Sequence, residues 1–63
     1  MIQLNDVQRE TLKSMPGYRA VLQYDTGAVL IVSGRLDFDT WVIDTDGQLY
    51  SLRRYLAVAR HHF

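Results

Sequence analysis

Arginines and tyrosines stand close together near the C-terminal end, in a combination that suits binding. Arg53 and Arg54 follow soon after Tyr50, and Arg60 stands further along the same segment. A guanidinium group forms paired hydrogen bonds with carboxylates and phosphates, and a tyrosine ring stacks on a base or anchors a protein interface. We therefore predict a partner-binding surface at Arg53, Arg54, Tyr50 and Arg60, with Arg35 in support.

This basic and aromatic segment allows three interpretations. It contacts a protein, it contacts nucleic acid, or Tyr55 belongs to the core and the arginines form a solvated rim. Seven basic residues balance seven acidic ones, so the chain lacks the overall positive field that steers proteins onto nucleic acid. His61 and His62 are adjacent at the end of the chain, and the sequence does not place the further ligands that a metal would need there.

A second group of charges is acidic. Asp37, Asp39, Asp44 and Asp46 fall close together, and hard metal ions prefer such oxygen ligands. The spacing of a calcium-binding EF-hand loop is absent, so we interpret these carboxylates as a solvated edge that protects a strand from unwanted pairing. The sequence predicts no metal site.

Catalytic and cofactor patterns are not found in the sequence. The serines at positions 14, 33 and 51 lack the glycines of a nucleophile elbow, and the four glycines are too scattered for a phosphate-binding loop. We therefore expect no enzymatic activity, no cofactor and no small-molecule substrate.

Length and composition predict one small domain that gains stability from association. A chain of 63 residues buries a thin core, and without cysteine it has no disulfide or thiolate metal site to strengthen it. Self-association or a larger protein partner is therefore expected. We see no membrane-spanning segment and no signal peptide, which predicts a cytoplasmic location without membrane contact.

The elements that would position these residues are mostly strands. Residues 5–14 predict a helix capped by Asn5 and Gln8, and residues 18–24 alternate as a half-buried strand. The apolar run "AVLIV" predicts a central strand that bends at Gly34, with the side chains at positions 30, 32, 36 and 38 pointing inward. Residues 40–44 and 49–52 then form a hairpin around "TDGQ".

The last segment, "RRYLAVARHHF", fits either of two structures. Leu52, Tyr55, Leu56 and Ala59 would form one stripe of a helix, whereas a turn at Arg53 and a final strand would complete a barrel. The strand is the favoured prediction. We also expect the basic end of one subunit to meet the acidic region of the next, with affinity supplied by edge pairing through Val29 and Ile31 or through Val42.

This order of elements resembles the Sm-like fold. Gly34, Leu36, Phe38 and Asp39 are similar to the glycine, hydrophobe and Phe-Asp pair of the first Sm motif, in a stretch from residue 12 to 39. The end, "SLRRYLAVARHH", is similar in spacing to the strands of Sm-like proteins, including the Rho-inhibiting Rof family. The resemblance implies one domain over residues 1–63, a mainly β, small five-stranded SH3-like barrel with a short N-terminal helix.

Departures from the Sm pattern bear on function. Asp39 runs through Thr40 directly into Trp41, so the loop that carries a base-reading asparagine is absent, and Arg54 replaces an expected glycine. The resemblance to Rof implies a non-catalytic interaction module, a regulator or inhibitor that binds a larger protein or ribonucleoprotein. The alternative is an oligomeric RNA-binding protein like Sm proteins and Hfq.

Overall fold

Two helices enclose a four-stranded antiparallel sheet. A computed structural model describes residues 1–34 and 39–60, with the side chains of residues 1–34 and 39–58. The elements are α1 (Asp6–Lys13), β1 (Tyr18–Gln23), β2 (Val29–Ser33), β3 (Thr40–Ile43), β4 (Leu49–Ser51) and α2 (Leu52–Arg60). The strand order is β1-β2-β3-β4, so each strand pairs with the next and the sheet is open, with β1 and β4 at its edges.

The N-terminal helix begins as the sequence predicts. Asn5 Oδ1 accepts a hydrogen bond from Gln8 N at 2.7 Å, and Gln8 Oε1 accepts one from Asn5 N at 3.1 Å. This reciprocal pair is a capping box, which satisfies two amides that the first turn leaves free. Asp6 in the first turn and Lys13 in the last complement the helix dipole. The predicted helix over residues 5–14 is therefore confirmed.

The main core lies between α1 and one face of the sheet. Val29, Ile31 and Ile43 form its fully buried centre. Partly buried apolar side chains pack around this centre: Ile2, Leu4, Leu12, Met15, Tyr18, Ala20 and Trp41. Trp41 and Ile43, two positions apart on β3, share this face.

The central strand β2 is buried on both faces. Leu30 pairs with Val42, and Val42 pairs with Tyr50, so these residues lie on the face opposite the main core. The helix α2 packs over that face on β3 and β4. The prediction that residues 28–32 form a central strand is confirmed. Positions 30 and 32 were predicted to point inward, but positions 29 and 31 also face a packed layer, on the other side of the sheet.

A bulge changes the predicted alternation of β1. Ala20 pairs with Ile31 and Leu22 pairs with Leu30, so Val21 is an extra residue in the ladder. Tyr18 and Ala20 face the main core, whereas Leu22 is half-exposed on the other face. The bulge therefore breaks the strict period of two that the sequence indicated.

The hairpin between β3 and β4 is docked on α1. Gly47 adopts φ +86°, and its carbonyl accepts a hydrogen bond from Thr11 Oγ1 at 2.9 Å. A side chain at position 47 would overlap Val7 Cγ1. Glycine is therefore required here both by the backbone conformation and by the close approach of the helix. The predicted hairpin is confirmed.

The C-terminal segment corrects the predicted barrel. Residues 52–60 form α2 rather than a turn and a final strand, since Ser51 Oγ accepts a hydrogen bond from Arg54 N at 3.2 Å and caps a helix. Tyr55 on α2 then packs against Tyr24 and Tyr50. Without a fifth strand among the described residues, the sheet remains open, so the prediction of a closed five-stranded barrel is wrong.

The predicted bend at Gly34 is seen only at its beginning. β2 ends at Ser33, and Gly34 N donates a hydrogen bond to Gly17 O at 3.0 Å. Positive φ angles among the described glycines occur at positions 17, 27 and 47, so Gly34 does not use the left-handed conformation. The predicted continuation of the strand through Leu36 and Phe38 lies outside the described residues.

Candidate functional site

An open groove runs along β4, at one edge of the sheet. Its volume is about 470 Å³, and it is lined by Trp41, Gln48, Leu49, Tyr50, Ser51 and Arg54. We call it the β4 groove. Because β4 is an edge strand, backbone groups on its outer side have no neighbouring strand within residues 1–34 and 39–60. The groove therefore combines unpaired backbone, two aromatic side chains and one guanidinium.

The two central arginines of the predicted surface lie in the first turn of α2. Both Arg53 and Arg54 are exposed, and this turn contains no acidic residue. The partial positive charge of a helix N-terminus disfavours cations there by a few tenths of a kcal/mol to about 1 kcal/mol each. Arg54 stands three residues after Ser51, at the position where a capping box has glutamate or glutamine. The first turn of α2 is therefore electrostatically unfavourable.

Neither arginine is neutralised within the described part of the chain. The ion pairs formed there are Arg9 with Asp6 at 3.9 Å and Lys13 with Glu10 at 3.6 Å, both on α1. The guanidinium groups of Arg53 and Arg54 are consequently free to meet an anionic group from another molecule.

Three tyrosines hold α2 against the sheet. The ring centroid of Tyr55 lies 5.1 Å from that of Tyr24 and 6.5 Å from that of Tyr50. The hydroxyl of Tyr55 also hydrogen-bonds with that of Thr26 at 2.8 Å. Burial raises the pKa of Tyr24, and Tyr55 makes a smaller contribution in the same direction. Tyr55 thus belongs to the packing between α2 and the sheet, and Tyr50 links this packing to the β4 groove.

The predicted partner-binding residues are brought together in part. Tyr50 and Arg54 line the β4 groove, and Arg53 lies beside Arg54 in the sequence and is exposed. Arg60 is the last residue of α2, but its side chain is not among those that the structure describes. Arg35, His61 and His62 also lie outside the described residues.

Four groove residues were not predicted as site residues from the sequence: Trp41, Gln48, Leu49 and Ser51. Trp41 is brought to the groove because it pairs with Ser51 across β3 and β4, and Gln48 lies in the turn that precedes β4. The pairing register was the available signal for Trp41, since opposite residues in an antiparallel ladder share a face.

The predicted pairing between subunits through Val29, Ile31 or Val42 is wrong. All three side chains are fully buried within the sheet. Their strands, β2 and β3, already have neighbours on both sides. Among the described strands, β1 and β4 are therefore the ones with an edge open to another molecule.

The described aspartates of the acidic region mainly stabilise the fold. Asp39 accepts hydrogen bonds from the Tyr18 hydroxyl and from Trp41 Nε1, the latter at 3.2 Å. The hydrogen bond to Asp39 raises the pKa of Tyr18, with burial and the carboxylate charge acting in the same direction. Asp44 and Asp46 accept backbone amides in the hairpin turn. Residues 1–34 and 39–60 contain no group of three or more potential metal ligands, and Asp37 lies outside them.

Comparison with known families, curated proteins and solved structures finds no match to this chain. The resemblance to Sm-like proteins therefore stays a prediction. Within the described residues, no helix is long and apolar enough to cross a membrane.

Proposed function

We propose that this chain is a small, non-catalytic protein-binding module and that the β4 groove, with Arg53 and Arg54 beside it, is its contact surface. The observation that carries the proposal is the position of two exposed arginines, unpaired within the described chain, next to an open groove on an edge strand. The module acts by occupying the surface of a larger protein or ribonucleoprotein, as a regulator or inhibitor.

The groove suits a partner segment in extended conformation. An edge strand accepts such a segment through backbone hydrogen bonds, while pockets beside the strand select its side chains. Trp41 and Tyr50 offer apolar ring surface, and aromatic residues are enriched among those that dominate binding energy. A carboxylate on the segment would pair with the guanidinium of Arg54. The expected ligand is therefore an extended stretch with an apolar and an acidic side chain.

The unfavourable first turn of α2 supports the same interpretation. Two arginines there weaken the helix, and glutamate at position 54 would have completed a capping box with Ser51. A cost in stability at a surface is understandable if the charges serve binding. A partner carboxylate would neutralise these arginines and relieve their unfavourable interaction with the helix dipole.

RNA binding is the alternative function. The arginines suit phosphates as well as carboxylates. However, the Tyr55 ring packs against Tyr24 and Tyr50 and its hydroxyl is held by Thr26, so this ring is not free to stack on a base. Binding of a short uridine or adenosine oligomer at about 50 mM salt, with affinity that falls as salt rises, would favour RNA over protein.

Site-specific photo-crosslinking tests the proposed surface. A photoreactive phenylalanine derivative replaces Gln48, which lines the groove, and a control chain carries it at Lys13, an exposed residue of α1. Irradiation in cells of the source organism should give a discrete protein adduct from position 48 and none from position 13. The absence of an adduct at position 48, or the same adducts from both positions, would contradict the proposal.

A further inference from the structure

The opposite edge of the sheet carries a second exposed apolar surface. Val21 and Leu22 on β1 are 42% and 48% exposed, although both are large and apolar. The bulge accounts for this, because it inserts Val21 as an extra residue and brings Leu22 opposite Leu30, on the face away from the main core. Strict alternation would have turned one of the two inward.

The described part of the chain covers this surface only in part. Gln3 of the N-terminal segment exchanges two hydrogen bonds with the Gln23 side chain at the end of β1. The helix α2 packs on β3 and β4, and its Tyr55 reaches Tyr24 just after β1, yet Val21 and Leu22 remain about half-exposed. An open groove of about 550 Å³ follows β1, and it is lined by Met1, Ile2, Val21, Leu22, Gln23, Tyr24, Asp25 and Gly27. An apolar patch of this kind at a strand edge marks a place where another chain packs.

The charges on β1 and in the turn after it are arranged so that this edge complements itself. Arg19 lies three positions before Leu22, and Asp25 lies three positions after it. Both are exposed, and neither forms an ion pair with any residue in the described ranges. In an antiparallel arrangement about a two-fold axis at Leu22, Arg19 of each copy would meet Asp25 of the other.

We infer that a second copy of this chain occupies the β1 edge and forms a two-fold symmetric dimer. Val21 and Leu22 pack against the same residues of the other copy, and two Arg19–Asp25 pairs set the register. Side-chain packing provides the contact, since the bulge interrupts a continuous ladder. The small core of a 63-residue chain makes such association favourable for stability.

The dimer does not depend on the proposed function. β1 and β4 are opposite edges of one sheet, so dimerisation through β1 leaves both β4 grooves open. The assembly would then present two grooves, and a partner with two copies of its binding segment would be held more tightly than a partner with one.

Sedimentation equilibrium of the full chain over a range of concentrations tests this inference. The wild-type protein should show a monomer–dimer equilibrium. Leu22→Lys should give a monomer, since it places two like charges together at the two-fold axis. Leu49→Lys is the matched control, because it changes an exposed leucine on the opposite edge strand and should leave the dimer unchanged.

Exchanging the charges of Arg19 and Asp25 distinguishes a specific effect on the dimer register from a general loss of folding. Arg19→Asp or Asp25→Arg alone should weaken dimerisation about tenfold, since each creates two like-charge contacts. The double variant Arg19→Asp/Asp25→Arg should recover the wild-type dimerisation constant. A wild-type monomer at all concentrations would overturn the inference, as would a Leu22→Lys dimer or a double variant no tighter than its single variants.

Discussion

Gln8 connects three parts of the fold through one carboxamide. Its Nε2 donates to Gly27 O at 3.0 Å and to Ile43 O at 3.2 Å, and its Oε1 accepts from Asn5 N. The residue is only 1% exposed. Buried polar groups stabilise a fold only when their hydrogen bonds are satisfied, and here donor and acceptor are both used.

The sequence revealed only half of this role. The spacing of Asn5 and Gln8 predicts the capping box, because that motif is local. The carbonyls of Gly27 and Ile43 come from distant positions, so their approach could not be inferred without the fold. Residue type alone is also misleading here, since apolar Val7 is half-exposed while polar Gln8 is buried.

Gln8→Glu should destabilise the protein in a pH-dependent way. A carboxylate would face two carbonyl oxygens in a buried site, and we expect a loss of about 3 kcal/mol at neutral pH. The folded-state pKa of this glutamate would be raised, so the variant should be most stable in acid and lose stability as the pH rises. Urea unfolding at pH 4 and pH 7 measures this, with Gln8→Met as a non-titrating control. Equal losses for Glu and Met at both pH values would contradict the assignment.

Ionisation of Tyr18 should lower the unfolding free energy of the protein at alkaline pH. Its hydrogen bond to Asp39 raises its pKa in the folded state above the ordinary value of 10.0. Its contribution to stability is therefore complete below about pH 10 and is lost as the pH rises through the folded-state pKa. Tyr18→Phe should show a shallower fall in unfolding free energy above pH 10 than the wild type. Parallel pH profiles for the two proteins would exclude this role for Tyr18.

The sequence pattern of α2 was insufficient to decide between a helix and a strand. Its apolar residues fit a helical stripe as well as a strand, and the cap that decides between them is a single serine. Ser51 lacks the glutamate partner that makes a capping box visible, because Arg54 stands in its place. The strands and the hairpin were predictable, since their turns contain Asp-Gly and Thr-Gly and their apolar runs are short.

Arg53→Glu/Arg54→Glu should stabilise the protein. Two negative charges would complement the N-terminus of α2, and glutamate at position 54 would complete a capping box, for a gain of about 1 kcal/mol. Arg9→Glu/Lys13→Glu carries the same change in net charge but breaks both ion pairs of α1 and should lose about 0.5 to 1 kcal/mol. Thermal unfolding at low salt compares the two. A lower midpoint for the α2 variant than for wild type would contradict the electrostatic account of this turn.

The molecule as a whole is an open sheet with two different edges. Closure of a barrel would require the last segment to pair as a strand, and the tyrosine packing instead fixes that segment as a helix across one face. The sequence indicated a small β-rich domain with a basic and aromatic surface, but edge exposure depends on the overall topology. This topology leaves two different edges, and we propose that β4 binds a partner and β1 a second copy of the chain.

The most direct test of the proposed function uses the partner protein that crosslinks to position 48. Its affinity is measured for three forms of this chain. Isothermal titration calorimetry compares the wild type, Arg53→Glu/Arg54→Glu and the charge-matched Arg9→Glu/Lys13→Glu. We predict that the α2 variant binds about 100-fold more weakly, as expected for reversal of interface charges, while the α1 control binds as the wild type does. Wild-type affinity in the α2 variant, or an equal loss in both variants, would contradict the claim that Arg53 and Arg54 capture the partner.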